Sequence, residues 1–117
     1  MKTKTTNSLE QANGTCLQGY CPQGTTYQQL EDLFGEPIQT PEYCKSDAEW
    51  VIEFDDGEIA TIYNYKNGIN YLGDNGTPTE AITDWNIGAN KSEVAQRIID
   101  MINNEPFDLH TEWQNNQ

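Results

Sequence analysis

The residue types that most often carry out catalysis are few in this sequence and lie far apart. His110 is the single histidine, and Cys16, Cys21 and Cys44 are the three cysteines. Histidine and cysteine become catalytic when a neighbouring group activates them, and no such group lies close to any of these in the sequence. The nucleophile-elbow, P-loop and dinucleotide-binding patterns are also missing. We therefore expect no catalytic residues and a protein that is not an enzyme.

The cysteines and the acidic turns could in principle bind metal ions. A zinc site would combine the three cysteines with His110, but the Cys16–Cys21 spacing is wider than usual and the other ligands are scattered. The acidic stretches 55–58 and 74–76 lack the ligand spacing of a calcium loop, and turn formation explains both. An odd number of cysteines favours free thiols, with a local Cys16–Cys21 pair as the alternative in an oxidising compartment. We expect neither a metal ion nor another cofactor.

Acidic residues are the most unusual feature of the composition. The chain has 19 acidic and 6 basic residues, which gives a net charge of -13. Many of the acids lie between Glu31 and Glu58, where Lys45 is the only base. Such a charge opposes direct binding to nucleic acid or to an anionic membrane, and it favours a basic protein surface as the partner. The alternative is that the acids only keep the protein soluble.

The acids are placed so that they could imitate a nucleic-acid strand. Alternate residues of a strand are about 6.6 Å apart, which is close to the spacing of successive phosphates. Glu49, Glu53 and Asp55 alternate with apolar residues and so share one face of a predicted strand. The predicted partner-binding residues are Glu49, Glu53, Asp55, Asp56 and Glu58, with Glu31 and Asp32 from a preceding helix and Tyr65 and Tyr71 as aromatic contacts.

The chain is long enough for one domain that positions these residues. We predict a flexible arm over residues 1–24, a single domain over 25–109 and a tail over 110–117. No apolar run reaches about 18 residues, and no apolar segment follows the first two lysines. The sequence therefore predicts neither a membrane span nor a signal peptide, and it favours a cytoplasmic location.

Two amphipathic helices are predicted from capping signals and apolar periodicity. Thr26 and Gln29 form a capping box ahead of Tyr27–Phe34, and a glycine follows this segment. A longer helix begins at the N-cap Asn90 and ends at Asn103-Asn104, because Pro106 should block its extension.

Alternating apolar residues predict an antiparallel meander between the helices. Strands at 49–55 and 58–65 flank Asp56-Gly57, which favours a two-residue type I′ turn. Residues 69–72 and 81–87 are predicted as further strands. The expected fold is therefore α+β, with a three- to four-stranded antiparallel meander packed against a C-terminal helix and a short N-terminal helix. The turn also places Tyr63 on the core face, and the expected core is Leu30, Phe34, Trp50, Ile52, Phe54, Ile59, Ile98 and Ile102.

Two stretches resemble known families. The run Thr26-Tyr27-x-x-Leu30-x-x-Leu33-Phe34-Gly35-x-Pro37, followed by a hairpin, resembles the helix-loop-sheet modules of beta-lactamase inhibitor protein and related small lipoproteins, and this implies only a similar architecture. The stretch Asp47-Ala-Glu-Trp-Val-Ile-Glu-Phe-Asp-Asp-Gly57, with Asn70-Tyr-Leu-Gly73 and Thr83-Asp-Trp85, is similar to small proteins encoded by bacteriophages. Small acidic phage proteins include anti-CRISPR and anti-restriction proteins that imitate DNA. Neither resemblance assigns a functional role to a particular residue of this chain.

These observations favour an acidic inhibitory binding protein, encoded by a phage and acting in the host cytoplasm. It would occupy the basic, nucleic-acid-binding surface of a host defence protein by DNA mimicry. A second hypothesis is a non-catalytic interaction or assembly module that uses exposed aromatic residues. A small metal-binding protein or hydrolase is the third.

Overall fold

The computed structural model describes the backbone of residues 3–6, 14–40 and 45–115, and the side chains of residues 14–40 and 45–104. The fold is α+β, as predicted, with one antiparallel sheet and three helices. Five strands follow one another across the sheet in the order β1-β4-β5-β6-β2, and β3 pairs with the other end of β4. The strands are β1 (Thr3–Thr6), β2 (Cys16–Tyr20), β3 (Ile38–Gln39), β4 (Ala48–Phe54), β5 (Ile59–Tyr63) and β6 (Asn86–Ala89).

The first helix, α1 (Tyr27–Phe34), has the predicted bounds and cap. Thr26 Oγ1 accepts a hydrogen bond from the Gln29 backbone N–H at 3.1 Å, and Gln29 Oε1 accepts one from the Thr26 N–H at 2.8 Å. This reciprocal pair satisfies two donors that a helix N-terminus otherwise leaves unpaired. Gly35 ends the helix with a φ of 84°, a conformation that favours glycine.

The last helix, α3 (Ser92–Asn115), differs from the prediction at both ends. It begins two residues after Asn90, and its backbone continues beyond Asn103-Asn104 into the predicted tail. Pro106 therefore does not end it. A proline removes one backbone donor and kinks a helix, but the helical path can continue past it.

Two predicted strands are wrong in position or type. Residues 69–72 form the short helix α2 (Ile69–Leu72), and the predicted strand 81–87 is replaced by β6, which begins after Trp85. Side-chain hydrogen bonds from asparagines around α2 compete with a strand ladder, which explains the first error.

The prediction of an arm over residues 1–24 is wrong for β1 and β2, which are paired strands of the sheet. Strand β2 lacks clear apolar alternation because Gly19 takes an inward position. A Cβ atom at Gly19 would lie 3.6 Å from the Ala95 side chain of α3. The missing side chain lets the helix approach the sheet closely.

The hairpin between β4 and β5 has a three-residue loop, not the predicted two-residue turn. The Phe54 N–H donates to the Glu58 carbonyl at 2.9 Å, and Gly57 has a φ of 87°. A type I turn followed by a glycine at positive φ is the usual geometry of this loop. The extra residue moves the partner strand by one position, so Ile59 and Tyr63 point away from the core.

The core lies between the sheet and the helices α1 and α3. Ala60 and Ile62 take the inward positions predicted for Ile59 and Tyr63, while the other predicted core residues are buried. The rings of Trp50 and Trp85 meet edge to face at 5.3 Å, and each indole N–H donates to a backbone carbonyl. This side of the sheet, which carries Trp50, is called the core face below, and the opposite side is called the outer face.

Candidate functional site

The predicted partner-binding residues are divided between the two sides of the sheet. Glu49 and Glu53 lie on the outer face because residues alternate along β4. Glu31 and Asp32 lie on α1, which packs against the core face. The seven predicted acids therefore do not form one continuous surface.

Acids at the end of the hairpin form ion pairs with bases from the beginning of α3. Arg97 donates two hydrogen bonds to the Asp56 carboxylate, at 3.0 and 3.2 Å, and these bonds lower the pKa of Asp56. Lys91 Nζ lies 3.1 Å from Glu58 Oε2. Asp55 is exposed in the same loop. The sequence suggested an uncompensated acidic segment because these two bases are distant from the hairpin along the chain.

The outer face carries an open groove that crosses several strands. The pairing register places Tyr20, Asn86, Tyr63 and Glu49 in one row across β2, β6, β5 and β4. A Cβ atom at Gly88 would lie 2.6 Å from Thr61 Oγ1, so glycine keeps the floor of the groove free of a side chain. The groove has a volume of about 330 Å³ and is lined by Thr15, Cys16, Ser46, Glu49, Thr61, Tyr63, Tyr65 and Gly88.

Glu49 is the acid of this groove. Its side chain is half-buried, and burial raises the pKa of its carboxyl group above the ordinary value. Within residues 14–40 and 45–104, no base forms an ion pair with it. The fold therefore holds a partly desolvated carboxylate in the groove, which weakens its interaction with water and strengthens its attraction for a cation.

Glu49→Gln is expected to stabilise the protein at pH 7 by about 0.5–1 kcal/mol, after allowance for solvent that still screens the carboxylate. The raised pKa means that the folded state holds the proton more tightly than the unfolded state. Ionising Glu49 thus costs no folding free energy in acid, where the group is protonated. The full cost applies once the pH exceeds the folded-state pKa. Urea unfolding at pH 7 and pH 3.5 should show a gain at pH 7 alone.

The exposed Asp84→Asn is the matched control, since it also removes one carboxylate charge. It should not reproduce the pH-dependent gain. An equal gain in both variants would mean that relief of the overall negative charge, and not burial of Glu49, is responsible.

Exposed aromatic and aliphatic side chains form a second surface beside the groove, which is called the tyrosine patch and comprises Tyr65, Ile69, Tyr71 and Leu72. Their side chains are 42–49% exposed. Lys66 Nζ lies 5.2 Å from the centre of the Tyr65 ring and 5.5 Å from that of Tyr71, and Lys66 has a φ of 63°. Non-glycine residues seldom adopt this conformation, and such outliers often occur at functional positions.

A buried polar network holds the segment that carries the tyrosine patch. Asn64 is fully buried; its Nδ2 donates to Asp47 Oδ1 at 2.9 Å and its Oδ1 accepts from the Asp47 N–H at 2.8 Å. Asp47 Oδ2 accepts from the Asn70 N–H at 3.1 Å. These bonds tie α2 to the start of β4. The strand predicted for residues 69–72 leaves no place for this network, although asparagines at positions 64, 67 and 70 are a signal of side-chain-stabilised turns.

A third surface, the α1 acidic surface, consists of Glu31, Asp32, Glu36 and Glu80. Burial raises the pKa of Tyr27 most, and the charges of Glu31, Glu80 and Glu36 raise it further. Gln28 Nε2 donates to Asp32 Oδ1 at 2.9 Å and to Glu31 Oε1 at 3.4 Å, so Asp32 lies beside Glu31. In the part of the chain whose side chains are described, the ion pairs formed by Lys91 and Arg97 do not involve this surface. It is therefore less neutralised than the hairpin end.

The cysteines and His110 are the remaining candidates for a metal site. Cys16 is an exposed free thiol and Cys21 a buried one, whose pKa burial raises to about 12. Cys44 and the side chain of His110 lie outside the described residues, so the four-ligand zinc site stays an untested alternative. Among the described residues no group of three or more metal-binding side chains occurs, and no helix is long and apolar enough to cross a membrane.

Comparison with known proteins gives no family for this chain. No protein-family model matches the sequence, and no curated protein matches it significantly.

Proposed function

We propose that this protein is an acidic, non-catalytic binding protein that occupies the nucleic-acid-binding surface of another protein, as a phage-encoded DNA mimic directed against a host defence protein would. The α1 acidic surface is the contact in this proposal. A cytoplasmic location is part of the same proposal.

The observation that supports it is the uneven neutralisation of the acids. Arg97 binds Asp56 and Glu93, and Lys91 binds Glu58, so both bases serve the hairpin end and the first turn of α3. Among the described side chains, these ion pairs do not reach the α1 acidic surface, and the net charge of the chain is -13. Charge of one sign on a fixed helix accelerates binding to a basic surface and gives it specificity.

For the test, the protein is immobilised and used to capture partners. The source is a nuclease-treated lysate of the cells in which the protein is naturally made. A captured protein is then purified, and its binding to a labelled DNA duplex is followed by fluorescence anisotropy with and without the acidic protein. We expect competition that weakens at least tenfold between 50 and 300 mM salt, because screening shortens the range of charge interactions.

Matched variants locate the contact. Glu31→Gln, Asp32→Asn and Glu36→Gln together should weaken competition at least tenfold. The control combines Asp74→Asn, Asp84→Asn and Asp100→Asn, which removes the same charge from exposed positions elsewhere and should change competition less than twofold. Salt-independent binding, or equal losses in the two triple variants, would contradict the proposal.

A second candidate function is an interaction or assembly module that binds through the tyrosine patch. It is favoured by four large side chains that stay exposed on a segment held by buried hydrogen bonds. Exposed apolar groups that lie together often mark a contact surface. This function predicts partner binding that survives high salt, is lost on Tyr71→Ser with Leu72→Ser, and is unaffected by the triple variant of α1.

A further inference from the structure

We propose that the outer-face groove binds an arginine side chain of a protein partner, with Glu49 as the anion and Tyr63 and Tyr65 as the aromatic walls. The groove lies on the opposite side of the sheet from α1. This site is therefore additional to the surface proposed above and does not depend on it.

The pairing register of the β4–β5 hairpin and of β6 places the groups of the site side by side. Glu49 lies opposite Tyr63, and Tyr63 lies opposite Asn86, so a carboxylate and a tyrosine are neighbours in one cross-strand row. Burial is the main cause that raises the pKa of Tyr63, a hydrogen bond with Asn86 lowers it, and the neighbouring Glu49 raises it further. Glu49, Tyr63 and Tyr65 also line the same groove, so a carboxylate and two tyrosines lie close together on this face.

The chemistry of these groups suits a cation. A tyrosine ring attracts a cation over its face, and a partly desolvated carboxylate attracts it more strongly than an exposed one does. Tyr65 already has such a contact on one side, where the Lys66 ammonium lies 5.2 Å from the ring centre. The groove of about 330 Å³ is at the lower end of the about 300–1,000 Å³ range of ligand sites, which is suitable for one side chain.

Arginine fits these groups better than lysine does. A guanidinium is planar, donates two parallel hydrogen bonds to a carboxylate and stacks on an aromatic ring, whereas an ammonium is a strongly hydrated point charge. The net charge of -13 makes a second copy of this chain an unfavourable occupant, and it opposes phosphate groups as well. Charge complementarity thus selects a basic protein segment.

The test is a titration of the full-length ¹⁵N-labelled protein, followed by NMR, with N-acetyl-arginine methylamide as the probe. Citrulline and lysine derivatives with the same blocking groups are the neutral and ammonium controls. We expect saturable shifts at the backbone amides of Glu49, Tyr63 and Gly88 with the arginine probe, and at least tenfold weaker binding of the citrulline probe. Equal binding of citrulline or lysine, or no saturable shift, would overturn the proposal.

Variants separate the site from the fold. Glu49→Gln should weaken the arginine probe at least tenfold, although it is expected to stabilise the protein, so a loss of binding cannot be a loss of folding. Tyr65→Phe should retain most of the affinity, while Tyr65→Leu should lose about fivefold or more, since only the first keeps an aromatic ring. Unchanged binding by Glu49→Gln would overturn the proposal. The triple variant of α1 should bind the probe normally, which distinguishes failure of this site from failure of the proposed function.

Discussion

Asn64→Asp is expected to destabilise the folded protein by about 3 kcal/mol or more at pH 7 and by much less in acid. The substitution changes one atom of a fully buried side chain from a donor to an acceptor. Asn64 Nδ2 now donates to Asp47 Oδ1 at 2.9 Å, and the variant would place two carboxylates at this distance. Loss of a buried hydrogen bond and repulsion between buried charges both act against the folded state.

The pH dependence has a definite sign. In the folded variant, repulsion between the two carboxylates would raise the pKa of one of them above its value in the unfolded chain. The destabilisation by charge repulsion is therefore fully present above this raised pKa. It disappears as the pH falls below the unfolded value of about 4. Urea unfolding at pH 7 and pH 3.5, measured as the difference from the wild type at each pH, should show a partial recovery in acid.

Asn67→Asp is the matched control within the same network. Asn67 Oδ1 accepts a hydrogen bond from Asn64 Nδ2 at 3.0 Å, and a carboxylate can also accept it. The variant loses only the exposed bond that Asn67 Nδ2 donates to the Asp84 carbonyl at 3.3 Å. Its side chain is only half-buried, so we expect a loss of about 1 kcal/mol or less. A pH-independent loss for Asn64→Asp would show that its donor role toward Asp47 is not what stabilises this region.

Gly68→Ala is expected to destabilise the protein by about 3 kcal/mol. Gly68 is buried against the same network, and a Cβ atom there would lie 2.6 Å from Asp47 Cγ and 2.9 Å from Asn64 Nδ2. Neither buried side chain can move without breaking its own hydrogen bonds. Overpacking of this kind costs about 1–3 kcal/mol, and disruption of the buried hydrogen bonds adds to it.

Gly73→Ala is the comparison variant, in which backbone strain and not overpacking should destabilise the protein. A Cβ atom at Gly73 would meet no other atom within 4 Å, but its backbone angles, φ 61° and ψ -133°, are sparsely populated by residues other than glycine, so the strain in alanine should cost about 1–3 kcal/mol. Denaturation curves measure both losses. A smaller loss at Gly68 than at Gly73 would contradict the packing described for this segment.

Features that depend on neighbours in the chain were predicted well from the sequence. The helix Tyr27–Phe34 was predicted with its bounds and with the reciprocal bonds of Thr26 and Gln29, because a capping box involves residues only three positions apart. The alternation along β4 correctly separated Glu49 and Glu53 from the buried tryptophan for the same reason.

Features that change when a loop is one residue longer or shorter were predicted less well. The hairpin itself was located, but its three-residue loop moved Ile59 and Tyr63 to the outer face and thereby made the groove possible. A one-residue shift exchanges every side chain between the faces of a strand, so a small local error has a large consequence.

The sequence by itself determined the acidity, the α+β class, the first helix and the apolar face of β4, since composition and short-range periodicity are properties of the chain alone. Only the tertiary structure decided which acids stay uncompensated. It brings Arg97 to Asp56 across 41 positions and separates α1 from Glu49 by the thickness of the sheet. These distances depend on strand pairing and helix packing between distant segments, which neither spacing nor composition contains.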